Sequence, residues 1–212
     1  LDDIITVDTD AICSAIKDIY DDTRSITEPA GALALAGLKT YIARNRAQGQ
    51  TLIAVTSGAN MNFHRLRHVS ERSELGEGNE GIFAVSIPEK PGSFLKFINV
   101  LGNRNITEFN YRYGDDKVAH IFVGIQTAGT QDLAKISAEL GAAGLPNTDL
   151  TNDEIAKIHI RYMVGGRTHK VANERVVSFE FPERPGALAN FLSHMQTGWN
   201  ITLFHYRNHG AD

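Results

Sequence analysis

Two short segments of the chain repeat nearly the same sequence, and this repetition limits the folds that the chain can adopt. "PEKPGSFLKF" occupies residues 88–97 and "PERPGALANF" occupies residues 182–191. Further along, "NITEFNYR" (105–112) recurs as "NITLFHYR" (200–207). Chance identity at ordinary residue frequencies gives only about two matches over such a length. The chain therefore contains two copies of one β-α-β unit.

The first copy, residues 82–151, has the pattern of a ferredoxin-like βαββαβ domain. "IFAVSIP" predicts a strand in which the alternate residues Phe83, Val85 and Ile87 share one face, and "GSFLKFINVL" carries apolar residues at helical spacing. "ITEFNYRY" and "VAHIFVGIQT" predict two more strands, "TQDLAKISAELGAAG" a second helix and "NTDL" a last short strand. The predicted fold class is accordingly α+β, with two ferredoxin-like subdomains of this plan.

The second copy, residues 175–212, begins with "VVSFEF", which matches the first strand of the first copy, and stops at Asp212. We expect it to be truncated. Residues 152–174 join the copies. Thr151 and Glu154 have the spacing of a capping box, which predicts a connecting helix that ends at Gly165 and Gly166.

Residues 1–75 have a different texture and predict the order helix, helix, strand, helix. The segments are "DTDAICSAIKDIYDD", the Ala-rich "EPAGALALAGLKTYIARN", the apolar "TLIAVT" and "NFHRLRHVSERSEL". We expect the Ala-rich helix to be tightly buried and the strand to belong to an α/β layer domain whose other strands lie upstream. "GEGNEG" (76–81) breaks all periodicity and is the predicted linker.

Charge and cysteine content exclude several classes of function. The chain has 21 basic and 25 acidic residues, so its net charge of −4 repels phosphate backbones and anionic lipids. The single cysteine, Cys13, cannot form an internal disulfide or a metal cluster, which favours a reducing cytoplasm. No apolar run approaches the roughly 20 residues of a membrane span. We expect neither nucleic acid nor membrane as a partner.

The repeated residues predict two small-molecule sites. A helix that starts after a Pro-Gly turn offers free N–H groups to a carboxylate, and glycine permits close approach. A tyrosine in the following strand supplies an apolar wall and a hydroxyl. The candidate ligand-binding residues are Gly92, Phe94, Tyr111, Gly186, Leu188 and Tyr206. The simpler alternative is that these residues serve only turns and two small cores.

Two other chemistries are less well supported. A ferredoxin-like sheet can stack RNA bases on Phe109, Tyr111 and Tyr113, but the basic-Gly-aromatic signature of such domains is absent. His64 and His68 have the spacing of helical metal ligands, yet Arg65 stands where zinc proteases have glutamate. We therefore expect no metal site.

Several motifs together resemble the C-terminal part of the biosynthetic threonine ammonia-lyases (threonine dehydratases), which open isoleucine synthesis. These are the two "PExPG" units, "EFNYR", "LFHYRNHG", "IRYMVGG", "EPAGALALAG" and "SGANMNFHRLRHVSER". The resemblance implies that residues 1–75 end a pyridoxal-phosphate catalytic domain of the tryptophan synthase β type. It also implies that the remainder is a regulatory domain of two ACT-like subdomains, which binds isoleucine as inhibitor and valine as antagonist in a tetrameric enzyme.

By the same resemblance, Tyr111 and Tyr206 match the effector-site tyrosines, and Phe94 and Leu188 line those pockets. Ser57 matches the residue bonded to the pyridine nitrogen of the cofactor.

Glu28 would lie near the cofactor as well. No lysine lies in the Ser-Phe-Lys setting of the family's Schiff-base lysine, and no Gly-rich phosphate loop follows a strand. We therefore expect no catalytic residue in this chain, no stable cofactor binding and no activity of the chain alone. An amino-acid-sensing module of a related serine-type dehydratase is the alternative.

Overall fold

The computed structural model describes residues 3–158, 160, 171–180, 185–195 and 198–207. The chain separates into two compact units, Leu1–Asn79 and Glu80–Asp212, and the boundary lies within the predicted linker, residues 76–81. That linker is shorter than predicted, because its first residue ends a helix and its last two begin a strand. Only residues 77–79 lie between regular elements.

The first unit consists of three helices that the sequence predicts. They are α1 (Thr9–Thr23), α2 (Pro29–Asn45) and α3 (Phe63–Gly76). The Asp8 side chain caps α1 by accepting from the Ala11 amide at 2.8 Å, which satisfies one of the free N–H groups of the first turn. Proline starts α2, where its missing N–H costs nothing.

A small apolar core joins the three helices of the first unit. Its buried members are Cys13, Ala15, Ile16, Ile19, Ala32, Ala36 and Val69. Burial raises the pKa of the Cys13 thiol to about 11, so the thiol stays protonated and behaves as an apolar side chain. Beside this core the Arg72 guanidinium donates to the Asp10 carboxylate at 2.5 Å, and this buried ion pair links α3 to α1.

Two predictions for the first unit are wrong. Residues 51–56 form no strand, and Ile53 and Val55 are 86% and 76% exposed. A strand requires a hydrogen-bonded neighbour, and no other strand occurs in the described part of this unit. Helix α2 is not tightly buried either: only Gly31, Ala32 and Ala36 are buried, while the opposite face is open.

The second unit begins with the predicted βαββαβ domain, and this prediction is confirmed. Its elements are β1 (Glu80–Pro88), α4 (Ser93–Leu101), β2 (Ile106–Arg112), β3 (Val118–Gln126), α5 (Thr130–Ala142) and β4 (Asn147–Asp149). Phe83, Val85 and Ile87 all point to one face of β1 and are at most 2% exposed. The apolar face of α4 packs on that side of the sheet.

The region after β4 differs from the prediction. Helix α6 (Glu154–Ile158) is five residues long, and Asp153 caps it by accepting from the Ala156 amide at 2.9 Å. The predicted capping box is wrong, because the Thr151 hydroxyl accepts instead from the Ile82 amide at 3.0 Å. The predicted end of the connecting helix at residues 165 and 166 lies outside the described residues.

The second copy contributes α7 (Ala187–Ser193) and β5 (Leu203–Arg207) to the same domain. Its predicted first strand does not form over residues 176–180, where Val176 and Val177 are exposed. Instead β5 adds to the free edge of β2, giving one sheet in the order β4-β1-β3-β2-β5. Helix α7 lies beside α4, and Leu188 and Leu192 extend the core.

None of the helices in the described ranges is both long and apolar enough to cross a membrane.

Candidate functional site

The two corresponding strands, β2 and β5, pair antiparallel and bring the repeated aromatic residues together. Phe109 lies opposite Tyr206, and Tyr111 lies opposite Phe204. Side chains directly opposite each other in an antiparallel pair share one face of the sheet. Because the phenylalanines correspond to each other in the two copies, as do the tyrosines, the pairing has local two-fold symmetry.

The centre of this symmetry is a polar contact on the other face of the sheet. Asn110 lies opposite His205, and their side chains form a hydrogen bond between Oδ1 and Nδ1. Asn110 is buried and also donates to the Glu108 carboxylate at 2.9 Å. The register of the two strands is therefore held from both faces.

An aromatic cluster fills the apolar face around Phe94. The centre of the Phe94 ring lies 5.0 Å from that of Tyr111 and 5.4 Å from that of Phe109. Phe109 in turn meets Phe204 edge-to-face at 5.2 Å, which joins the two copies. Phe94 is 7% exposed, so it belongs to the core as much as to a binding site.

A carboxylate at the Pro-Gly turn of the first copy connects the copies. The Tyr111 hydroxyl donates to Glu89, and the Asn200 amide of the second copy donates to the other oxygen of that carboxylate at 2.9 Å. Glu89 is itself positioned by its amide, which donates to the Lys117 carbonyl at 2.9 Å. Burial, and then the bond to Glu89, raise the pKa of Tyr111, so this phenol stays protonated.

The turn that follows Glu89 leaves space and an unused hydroxyl. Gly92 has a φ of +86°, which favours glycine. Apart from its two chain neighbours, no described residue has an atom within 4 Å of where the Gly92 Cβ would be. Ser93, the first residue of α4, is 6% exposed, and its hydroxyl has no hydrogen-bond partner among the described residues. Gly92, Phe94 and Tyr111 thus lie around one polar corner, which we call the first site.

A small cavity lies at the matched position of the second copy, and we call it the second site. Gly186, Leu188 and Tyr206 line it together with Arg104 and Asn105, which come from the loop before β2 of the first copy. Its volume is about 30 Å³, enough for one or two water molecules. The six predicted effector residues therefore fall into two matched groups.

The Arg104 side chain at the second site is fixed by two carboxylates of α5. Its guanidinium donates to Asp132 at 2.9 Å and to Glu139 at 2.7 Å. The Arg104 guanidinium holds the pKa of Asp132 below its usual value, despite partial burial. These ion pairs fix the loop before β2, which forms one wall of the cavity, to helix α5 of the first copy.

Both sites are built from parts of both copies, which the sequence analysis does not anticipate. Asn105 of the first copy lines the second site, and its counterpart Asn200 bonds Glu89 at the first. The sequence signal for these residues exists, because Asn105 recurs as Asn200 and Glu89 recurs as Glu183. Glu183 lies outside the described residues.

In the first unit, the predicted cofactor residues Glu28 and Ser57 lie in adjacent segments. A Cβ added to Gly31 would lie 1.6 Å from the Ser57 carbonyl oxygen, so glycine is required there. The Glu28 carboxylate accepts from the Asn60 amide at 3.2 Å, and the Glu28 amide donates to the Gly58 carbonyl at 3.2 Å. "EPAGA" and "SGAN" therefore form one local surface.

His64 and His68, the candidate metal ligands, are both exposed on α3. His64 directly follows Phe63, which is 89% exposed. Neither histidine belongs to the core of the first unit.

Comparison with known proteins identifies the family of this chain. The family model for the C-terminal regulatory domain of threonine dehydratase matches residues 71–160 and 165–212, which is more than half of the chain. The chain belongs to this family. The resemblance inferred from its motifs is thereby confirmed.

Curated threonine dehydratases align with the whole chain. The biosynthetic L-threonine dehydratase IlvA of Burkholderia multivorans is 58% identical over 212 residues, covering 100% of this chain and 42% of the relative. The Escherichia coli protein of that name is 57% identical over 213 residues, covering 100% and 41%. The mitochondrial threonine dehydratase of Saccharomyces cerevisiae is 46% identical over 225 residues, covering 100% and 39%.

The chain spans about two fifths of the length of these threonine dehydratases. A solved structure, the processed form of threonine deaminase isoform 2 from Solanum lycopersicum, is 40% identical, with a TM-score of 0.35. The matched region covers 35% of this chain and 21% of the Solanum lycopersicum chain. The family model, which spans most of the second unit, shows that this unit is a threonine dehydratase regulatory domain. The curated relatives that align with the chain are lyases.

Proposed function

We propose that the unit from Glu80 onward binds isoleucine as a feedback inhibitor and valine as its antagonist, at the first and second sites. The observation that carries the proposal is that each site combines a Pro-Gly turn and a tyrosine of one copy with an asparagine of the other. An amino acid has a carboxylate, an ammonium group and a side chain, and each site offers polar groups beside an apolar wall. The enzyme so controlled is a threonine ammonia-lyase.

Binding at such sites alters the contact between the copies. The cavity of the second site lies between α7 and the loop before β2, so we expect a bound isoleucine to move these two elements apart. The free energy for this movement comes from the ligand, which binds the open form more tightly than the closed form. A difference of about 1–3 kcal/mol shifts a coupled equilibrium roughly 5- to 150-fold, which suffices for feedback control.

The two effectors differ by one methylene. Burial of one CH₂ contributes about 0.8 kcal/mol, which corresponds to a roughly fourfold difference in affinity. Valine therefore occupies the same sites more weakly and opens them less. This difference in opening is the basis for opposite effects of the two ligands.

The first unit is part of the catalytic domain in this proposal. Its adjacent Glu28 and Ser57 offer a carboxylate and a hydroxyl, which fit the ring of pyridoxal phosphate, and Ser57 would bond the pyridine nitrogen. When bound, the cofactor supplies an electron sink for loss of the substrate's α-proton. The Schiff-base lysine lies elsewhere in the parent enzyme, so this chain alone is inactive and does not hold the cofactor stably.

The exposed apolar side chains of the first unit support this placement. Ile53, Val55 and Phe63 are between 76% and 89% exposed, as expected of a surface that other parts of a catalytic domain cover. The proposal includes the tetrameric assembly of the family, a cytoplasmic location, and no nucleic acid or membrane partner. The net charge of −4 agrees with the last point.

Calorimetric titration of the 212-residue chain with isoleucine, valine, threonine and serine tests the proposal. We expect isoleucine to bind about fourfold more tightly than valine. Tyr111→Ala and Tyr206→Ala should each remove one class of sites, whereas Tyr20→Ala, on exposed surface of the first unit, should remove none. Preferential binding of serine, or no binding of branched-chain amino acids, would refute the assignment.

A further inference from the structure

The first site contains a carboxylate that forms no ion pair with a cation in the part of the chain that the structure describes. Glu89 is half-buried and accepts hydrogen bonds from two neutral donors, the Tyr111 hydroxyl and the Asn200 amide. No lysine, arginine or histidine among the described residues forms an ion pair with it. A carboxylate has about four acceptor positions, so Glu89 keeps capacity for further donors.

The same turn contains a buried hydroxyl with unused hydrogen-bonding capacity. Ser93 starts α4, a helix of nine residues, and its hydroxyl has no partner among the described residues. Leaving such a group unsatisfied costs free energy, and a ligand that bonds it recovers that cost. The adjacent Gly92 has open space where a Cβ would lie, so a ligand can approach the turn closely.

We propose that Glu89 and Ser93 together recognise the head group of a free α-amino acid at the first site. Glu89 accepts hydrogen bonds from the ammonium group, and the Ser93 hydroxyl donates to the carboxylate. The inference rests on the proposed function. It assigns the specificity of the first site for the amino-acid head group to these two residues. This pair predicts that the site selects a zwitterion over a simple carboxylic acid or amine, which the apolar wall of Phe94 cannot do.

The two copies differ at one of these positions. Glu89 recurs in sequence as Glu183, but Ala187 occupies the position of Ser93. The second site therefore lacks the hydroxyl and recognises the carboxylate less well. Isoleucine should accordingly bind more tightly at the first site than at the second.

Three ligands separate the two contacts in a calorimetric test on the 212-residue chain. Isoleucine has both charged groups, its 2-oxo acid lacks the ammonium group, and its amide lacks the carboxylate. We expect Glu89→Gln to weaken isoleucine at one class of sites roughly 10-fold or more, as for loss of a charged hydrogen bond, and not to weaken the oxo acid. Ser93→Ala should weaken isoleucine and the oxo acid, but not the amide.

Asp116→Asn is the matched control, because it removes one negative charge from an exposed position in the loop that follows β2. It should leave all three affinities unchanged. Equal weakening of the three ligands by Glu89→Gln, or no weakening of isoleucine, would overturn the inference while the proposed function stands. If the wild-type chain binds no branched-chain amino acid, the proposed function itself fails, and this inference with it.

The wild-type chain provides a test that does not depend on a variant's folding. Isoleucine should bind it at least 10-fold more tightly than the oxo acid, because only isoleucine offers donors to Glu89. Equal affinity for the two ligands would exclude recognition of the ammonium group by Glu89. Unchanged thermal unfolding of Glu89→Gln would show that its effect on binding is local.

Discussion

Arg112 and Glu174 form a bidentate ion pair that joins β2 to the segment 171–180. Both guanidinium NH groups contact the carboxylate, and Thr202 donates to the same carboxylate at 2.5 Å. The first copy repeats part of this arrangement, since Thr107 donates to Glu80 at 2.5 Å. Glu80 and Glu174 are equivalent in the duplication, as are the threonines. The threonine–glutamate bond is thus a feature of both copies.

The first prediction concerns this ion pair and acid pH. The hydrogen bond from Arg112, followed by that from Thr202, lowers the pKa of Glu174 from 4.5 to about 2. A carboxyl group with a depressed pKa in the folded state stabilises it above pH 4.5, and this contribution disappears as the pH falls towards 2. Glu174→Gln should therefore lower stability above pH 4.5 and have little effect near pH 2.

Urea unfolding followed by Trp199 fluorescence measures this effect, because the chain has one tryptophan and it lies in the second copy. Glu180→Gln, an exposed carboxyl group on the same segment, is the control and should change nothing. A Glu174→Gln effect that does not depend on pH would contradict the assignment of the stability to the ionised carboxylate.

The second prediction concerns Tyr111 at alkaline pH. Its pKa is raised above the ordinary 10.0, chiefly by burial and then by Glu89. The neutral phenol therefore stabilises the folded state below pH 10, and stability falls as the pH rises further, because only the unfolded chain ionises readily. Tyr111→Phe should cost about 1.5 kcal/mol at neutral pH through the lost hydrogen bond, and should remove this alkaline loss.

Urea unfolding at neutral pH and above pH 10 provides the measurement. Tyr113→Phe, directly after the end of β2, is the comparison variant and should keep most of the wild-type pH dependence, because Tyr113 is only a minor cause of the raised Tyr111 pKa. If Tyr111→Phe lost stability with rising pH as steeply as wild type, another group would be responsible.

The third prediction tests the contact between α2 and the Ser57 loop. A Cβ at Gly31 would overlap the Ser57 carbonyl oxygen at 1.6 Å, so Gly31→Ala should destabilise the first unit by about 1–3 kcal/mol. Gly37→Ala in the same helix meets no atom within 4 Å and should stabilise the unit by about 0.5–1 kcal/mol. Thermal unfolding of both variants measures the difference, and equal shifts would show that the contact is not formed.

The fourth prediction concerns the fixed arginine at the second site. Arg104→Lys cannot bond Asp132 and Glu139 with one planar group, so we expect a loss of about 1–3 kcal/mol in unfolding free energy. Isoleucine affinity should fall at the second site and not at the first. Lys135→Ala removes only an exposed pair with Glu139 at 3.9 Å and should cost at most about 0.5 kcal/mol. Equal losses in the two variants would contradict the role given to Arg104.

Much of the fold is predictable because its signals are local. Helical spacing and period-two alternation locate α1–α5 and β1–β3, and the repeated motifs locate both tyrosines.

The wrong predictions have a common cause, which is that they depend on contacts distant in sequence. Residues 51–56 have a strand's composition, but a strand needs a neighbour, and the residues 176–180 that match β1 make no pairing in the sheet. Thr151 matches a capping sequence, but its hydroxyl accepts a hydrogen bond from the amide of Ile82, which lies far away in the chain.

The sequence by itself determined that one βαββαβ domain is followed by a second, similar copy, and that turn glycines and strand tyrosines recur in both. Only the tertiary structure decided that β5 pairs with β2, and that Asn200 therefore reaches Glu89 while Asn105 reaches the site of Tyr206. The physical reason is that periodicity records which face of an element is buried, whereas strand pairing is chosen by long-range hydrogen bonds and packing, which leave no local trace.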